Sequence, residues 1–296
     1  MSAVAVAAAT VDGVAEESFA LEELLLSRAY LYTLFHKLLG AAPDAPALDA
    51  LLGRETAEVA GAYAEDDATM RGFGRFLQGL AAREDRAALL DEARDEHVRL
   101  FVGPGPLPAF SWESPYRTHE PSLFQESTLA VRAAYRAHGL EPKRLARVPD
   151  DHAALLCAFM ARRSGAALAA LRAGDANGLA AELRDEEAFA AAHLTSWLDA
   201  FAKAARRSRT AVLYPQLIEA LAAFARVDAV FLAEAAYWAE GLAAEGAVGA
   251  PGVRRGSVEA RALEAAREAL AALEALRPYG IEDYELVPAR LCAGTR

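Results

Sequence analysis

Cysteine is nearly missing from this chain: two residues, Cys157 and Cys292, in 296. That number gives neither a disulfide framework nor a metal motif and fits a reducing compartment. Cys157 lies in the apolar run "ALLCAFM" and reads as a small buried hydrophobe. Excess positive charge is missing too. The net charge is −11, which argues against a nucleic-acid binder, whose footprint is a basic patch. There is no uncharged apolar run of 18 residues, so no membrane span is expected. The N-terminus "MSAVAVAAATVDGVAEESF" has no positive n-region, and acids follow its apolar start, so no signal peptide is expected.

The usual catalytic motifs are equally scarce. "GPGPLP" is not a dinucleotide fingerprint and follows a helix rather than a strand, and no GK[ST] marks a phosphate loop. No histidine has an acid three residues before it, as a di-iron bundle requires. His119-Glu120 is not continued into a zinc-protease motif. There is no GxSxG elbow, and neither cysteine is paired with a base. The chain is therefore read as a non-enzyme with no catalytic residue, no metal site and no cofactor.

Alanine-rich helix is what remains. Hydrophobic residues make up 54% and charged residues 25%, a globular composition with a strong helical bias. From about Ser18 to Leu39, Leu21, Leu24, Leu25, Leu31, Leu34, Phe35, Leu38 and Leu39 recur at helical spacing. Gly40 and Pro43 stop that helix. Further helices are predicted at about 47–65, 69–82, 85–102, 122–138, 151–173, 178–206, 211–226 and 228–243, with no convincing strand. Gly139 reads as a glycine just past a helix end. The glycine-rich stretch 243–257 reads as a linker. Beyond it, a solitary helix from Val258 to Arg277 puts Leu263, Leu270 and Leu273 on one narrow stripe, which needs a docking partner: the body or another protein.

Two constellations stand out. The first is "LFVGPGPLPAFSWESPYRTHEPSLF", Leu100 to Phe124, with five prolines and five aromatics. Proline stiffening lowers the cost of ordering this segment. Phe110, Trp112, Ser114 and Tyr116 then form either a preformed binding wall or a plug for the helical core. The second is Pro149, Asp150, Asp151 and His152. Pro149 biases the residue before it away from the α region, and Asp150 is placed to cap the next helix. The acid pair either serves the helix start or offers a carboxylate to an incoming arginine.

These residues carry a resemblance. "EHVRLFVGPG", "SWESPYRTHEPSLF", the helix ending at Gly139-Leu140 and "VPDDHAALLCAFMARR" stand in the order seen in the TorD/DmsD/NarJ family of redox-enzyme maturation chaperones. His193 and Trp197 match its His-x-x-x-Trp more loosely, and the similarity spans about residues 20–240. The chain departs from the pattern at Pro115, where the family often has valine, and beyond Gly246, where the pattern has no counterpart.

The resemblance implies an all-α fold: a single TorD-like helical bundle over 18–243, after a disordered N-terminus at 1–17. A linker at 244–257 and an accessory helix and tail at 258–296 would follow. It implies a cytoplasmic, non-catalytic chaperone, monomeric or a domain-swapped homodimer. Such a protein binds the apo large subunit of a molybdopterin enzyme, commonly at a twin-arginine leader, and delays export until the cofactor is in place. The peptide-binding residues implied are Phe110, Trp112, Ser114, Tyr116, Pro149, Asp150, Asp151 and His152. The alternatives are a NarJ-like assembly factor for a non-exported subunit and a nucleotide-binding enzyme or switch.

Overall fold

The structure, a computed structural model, describes residues 11–103, 107–118, 126–145, 147–208, 211–245 and 258–289. Twelve α-helices and one two-stranded sheet are found among the described residues, the all-helical fold expected.

Aspartates set many of the helix starts. Asp44 caps α2 (Ala45–Leu51), Asp67 caps α4 (Ala68–Ala81), Asp85 caps α5 (Arg86–His97) and Asp175 caps α9 (Ala176–His193). Each accepts a backbone N–H of the first turn that has no partner inside its helix. Gly174, at φ 68°, ends α8 (Ala153–Ala173) in the left-handed conformation that favours glycine.

The bundle is built on long helices. α1 (Val11–Gly40) packs along α8, α8 along α9, and α9 along α11 (Tyr214–Ala244). α10 (Leu198–Arg207) also lies on α11. Phe224 of α11 fills the centre, with Tyr32 and Tyr63 edge-on at 4.8 and 5.1 Å. α8 is long and apolar enough to cross a membrane by length and composition alone, but 67% of its apolar window is buried inside the bundle. Cys157 is fully buried there, and burial raises its thiol pKa.

A charged knot ties four helices. Arg28 of α1 is fully buried. It forms ion pairs with Asp228 of α11 and Glu186 of α9, and donates to the Ser164 hydroxyl of α8 at 3.1 Å. Tyr32 adds its hydroxyl to Asp228 at 2.7 Å. Removing one partner from such a group leaves an uncompensated buried charge, at a cost of about 3–5 kcal/mol.

Several boundaries differ from expectation. α1 begins at Val11, so residues 11–17 are helical rather than disordered; residues 1–10 lie outside the described set. The helix expected at 47–65 is two, α2 and α3 (Arg54–Ala62), divided at Gly53, the N-cap of α3. The helix expected at 178–206 breaks at Leu194–Trp197, where the Trp197 indole N–H donates to the His193 carbonyl at 2.7 Å. The two helices expected at 211–226 and 228–243 are one, because no proline or glycine interrupts the chain between Pro215 and Gly241. The helix expected at 85–102 is α5 followed by a π turn at Val98–Val102. Short helices α6 (Ser114–Thr118) and α7 (Glu126–Ala137) follow. The linker expected at 244–257 lies mostly outside the described residues, as does Cys292.

α12 (Val258–Ala275) docks on the body. Leu263 and Leu273 are buried, with the helix against α1. The Lys37 ammonium donates to the carbonyls of Glu274 and Leu276 at 3.2 and 2.9 Å, placing a cation at the negative end of α12. The tail then supplies one strand of a two-stranded sheet where no strand was expected. β1 (Leu140–Pro142) and β2 (Leu286–Pro288) pair antiparallel, Glu141 opposite Val287. Gly40 makes room for this tail: a Cβ there would stand 2.7 Å from the Ile281 Cδ1.

Candidate functional site

The aromatic loop and the Pro149–His152 helix start meet in one place. The Ala153 N–H donates to the Ser111 carbonyl at 2.7 Å, and the Glu113 N–H donates to the Asp151 carbonyl at 3.1 Å. Between them, Trp112 and His152 pair as an isolated antiparallel bridge. Ser114 completes the junction. Its N–H donates to an Asp151 carboxylate oxygen at 2.8 Å, and its hydroxyl donates to the same oxygen. The Ser114 hydroxyl also lies within hydrogen-bond distance of Thr128 and Ser127 on α7. Ser114 and Asp151 are both wholly buried. Burial raises the Asp151 carboxyl pKa, and the Ser114 donors oppose the shift.

His152, not Asp150, caps α8. Its Nδ1 accepts the Ala154 N–H at 3.1 Å. Burial, aided by His97 and His36 nearby, lowers its pKa to about 3, so the ring is neutral and carries its proton on Nε2. Asp150 serves a different purpose. Its carboxylate pairs with Arg132 of α7, and its carbonyl accepts the Tyr135 hydroxyl at 2.9 Å. The arginine that the sequence seeks in a partner is thus supplied in cis. Pro149 is half-buried at the start of this turn.

The other side of the loop is clamped to the α9–α10 turn. Glu113 is fully buried, 2.9 Å from His193 Nδ1 and 2.7 Å from Arg117. Tyr116 stacks on Trp197 at 5.5 Å, and Trp197 stacks on Phe201 at the same distance. The Phe110 N–H donates to the Tyr116 hydroxyl at 3.0 Å, closing the loop on itself. Tyr116 packs against the core, and Phe110 and Trp112, edge-to-face at 5.0 Å, are half-buried like it.

Several buried polar atoms of this region have no hydrogen-bond partner. Neither His97 ring nitrogen has a hydrogen bond, nor have the Trp112 indole N–H and the Tyr214 hydroxyl, and all are buried. His97 packs between Phe101 and Tyr214, and burial lowers its pKa to about 4. Val98 and Val102, on the π turn just after His97, are exposed.

Sequence reasoning passed over several residues that build the site. Glu96 is buried and accepts the N–H groups of Val212, Leu213 and Tyr214 at 2.8, 2.6 and 2.9 Å, capping α11 from another helix. Its place in the "EHVRLF" run was the only available signal. Glu113 stood in the quoted SWESPY run and Arg132 in the helix that ends at Gly139-Leu140, whereas Tyr284 carried no signal. Among the described residues, no group of three or more His, Cys, Asp or Glu is arranged to hold a metal ion. A cleft of about 450 Å³ between α12 and α1–α3 is lined by none of the residues above.

A helical bundle whose prolinated aromatic loop is hydrogen-bonded to a Pro-Asp-Asp-His helix start is the class that fold and site define together. Residues 57–203 match the family model described as nitrate reductase delta subunit. That span holds the loop, the helix start, His193 and Trp197, and stops short of α11 and α12. The Tat proofreading chaperones DmsD of Salmonella paratyphi A, Salmonella typhi and Salmonella typhimurium are each 41% identical over 54 residues. The alignment covers 18% of this chain and 26% of each relative. Both matches show the resemblance to the TorD/DmsD/NarJ family. No solved structure matches the chain.

Proposed function

We propose that this protein is a non-catalytic, cytoplasmic chaperone for the apo catalytic subunit of a molybdopterin oxidoreductase. It binds the subunit's twin-arginine leader, assists cofactor insertion and delays export until maturation is complete. The observation that carries the reading is the Ser114–Asp151 junction, which fuses the two motifs into one rigid unit and leaves Phe110 and Trp112 only half-buried. A rigid aromatic face loses little entropy on binding and suits the apolar stretch of a leader. A net charge of −11 suits its basic stretch. The names of the matched relatives and family point the same way.

In this reading Phe110 and Trp112 touch the leader, and Tyr116, stacked on Trp197 and bonded to the Phe110 N–H, backs them as the third aromatic of the site. Ser114, Asp150, Asp151 and His152 hold that face in position, with Pro149 at the turn. Co-purification tests the proposal: the chain, drawn from its own cells, should bring down a molybdoenzyme large subunit lacking its cofactor. Recovery of no such subunit would count against it. The description of the matching family favours one further reading, a NarJ-like assembly factor. A recovered subunit without a twin-arginine leader would select it.

A further inference from the structure

Asp150, Asp151 and His152 are 1%, 0% and 5% exposed. A client reaches this helix start only where a cover leaves. Helix α7 closes over Asp150 through Arg132 and Tyr135, and two further elements lie over the rest of the helix start. The aromatic loop is fastened by the buried Ser114–Asp151 and Glu113–His193 contacts, shielded from water. The C-terminal tail is the second cover, and it lies outside the span that matches the family.

After α12, a single 3₁₀ turn at Ile281–Tyr284 sets the Tyr284 ring 4.6 Å from that of His152. β2 then adds a three-residue ladder to β1. Ile281 and Leu286 are the buried anchors. The Arg162 guanidinium donates to the Leu286 carbonyl at 2.6 Å and the Lys143 N–H to the Glu285 carbonyl at 2.8 Å, and three ion pairs reach the surface: Lys143–Glu285 at 2.7 Å, Arg144–Asp283 at 3.1 Å and Arg147–Asp283 at 2.9 Å. Those three cationic side chains are 46%, 44% and 60% exposed. Their acidic partners are less exposed, Glu285 at 24% and Asp283 at 17%, so each pair is open to water on its cationic side only. The tail is thus the cover whose ionic fastenings reach solvent, while the loop's ionic contact, Glu113–His193, is buried.

We propose that residues 281–289 form a strap over the Pro149–His152 helix start, and that the client's leader displaces it. This rests on the leader-binding function proposed above. The charges make the exchange favourable. Glu282, Asp283 and Glu285 ride on the strap, and the last two are neutralised by Lys143, Arg144 and Arg147. A basic leader offers these carboxylates replacement cations while its apolar stretch takes the place of Tyr284 against His152.

Hydrogen exchange on the full chain tests this, with a synthetic peptide carrying the leader of the co-purified client and calorimetry confirming that it binds. Strand β2 and the Ala289 N–H, which donates to Gly139 at 2.7 Å, should lose protection when the peptide is bound. The triple variant Lys143→Ala/Arg144→Ala/Arg147→Ala loosens the strap without touching the loop. It should bind the peptide about threefold tighter or more, because less protein is held in the closed form. Tyr284→Ala should shift affinity in the same direction. Bound peptide with unchanged protection at 286–289, or weaker binding by Tyr284→Ala, overturns the strap and leaves leader binding standing. No calorimetric binding by the wild-type chain overturns both.

Discussion

Ser114 gives both its backbone N–H and its hydroxyl to one carboxylate oxygen of Asp151, across 37 positions of chain. With both residues out of water, this is the join between the loop and the α8 start. Asp151→Ala leaves the buried Ser114 N–H without an acceptor, while the Ser114 hydroxyl keeps Thr128 in reach, so the variant should lose about 1–3 kcal/mol of stability. Asp151→Asn keeps an acceptor and should lose less. Urea unfolding measures both, and an Asp151→Ala chain as stable as wild type would show that the join does not hold the loop.

Glu96 makes a second join of the same kind. Three N–H groups at the start of α11 converge on its carboxylate, where the helix dipole also favours negative charge. Hydrogen bonds to charged groups are worth about 1.5–3 kcal/mol each, so Glu96→Ala should cost at least about 2 kcal/mol. Glu96→Gln should fall between alanine and wild type. Equal midpoints for Glu96→Ala and wild type in thermal unfolding would refute the cap.

The buried histidines make stability pH-dependent. Burial lowers His36 and His97 to about 4 and His152 to about 3, so between these values and the unfolded value near 6.5 only the unfolded chain binds their protons. Stability therefore rises with pH through that window. Glu186 acts in the opposite sense. Burial raises its carboxyl to about 7, so between 4.5 and 7 the folded chain holds the extra proton and stability falls as pH rises. Asp151, also raised, adds to the opposing side. The three histidines outweigh the two carboxyls, and the urea midpoint should climb from pH 4.5 to 6.5. Glu186→Gln should steepen the climb. A flat or falling midpoint would mean that the histidines are charged in the folded protein.

Much of the fold was legible because it follows from local pattern. Leucines at helical spacing marked α1, and Gly139 marked the end of α7 with its positive φ. The loop and the Pro149–His152 start were found through residue types in order. What escaped detection depends on contacts between distant residues. Nothing around Arg28 announces that it meets Glu186 and Asp228, 158 and 200 positions away. Asp150 looked like the cap of α8, but the turn at Pro149 carries one residue pair further, and the His152 Nδ1 takes that place. The break at Leu194–Trp197 contains neither glycine nor proline and is held by an indole donating to a carbonyl. The tail was too short and irregular to read as a strand because its pairing comes entirely from β1, 146 positions away at the Glu141–Val287 pair.

Leader binding at the Phe110–Trp112 face is measured most directly by calorimetry. The peptide leader of the co-purified subunit is titrated into wild-type protein and into Trp112→Ala, each with its melting curve. Wild type should bind with micromolar or tighter affinity, about −8 kcal/mol, with a negative heat-capacity change from apolar burial. Trp112 is only half-buried. Trp112→Ala should therefore lose about 2 kcal/mol of binding, as at an interface hot spot, while its melting temperature stays close to wild type. A leader that does not bind the wild-type chain, or that binds Trp112→Ala equally well, would show that this face is not where the client is held.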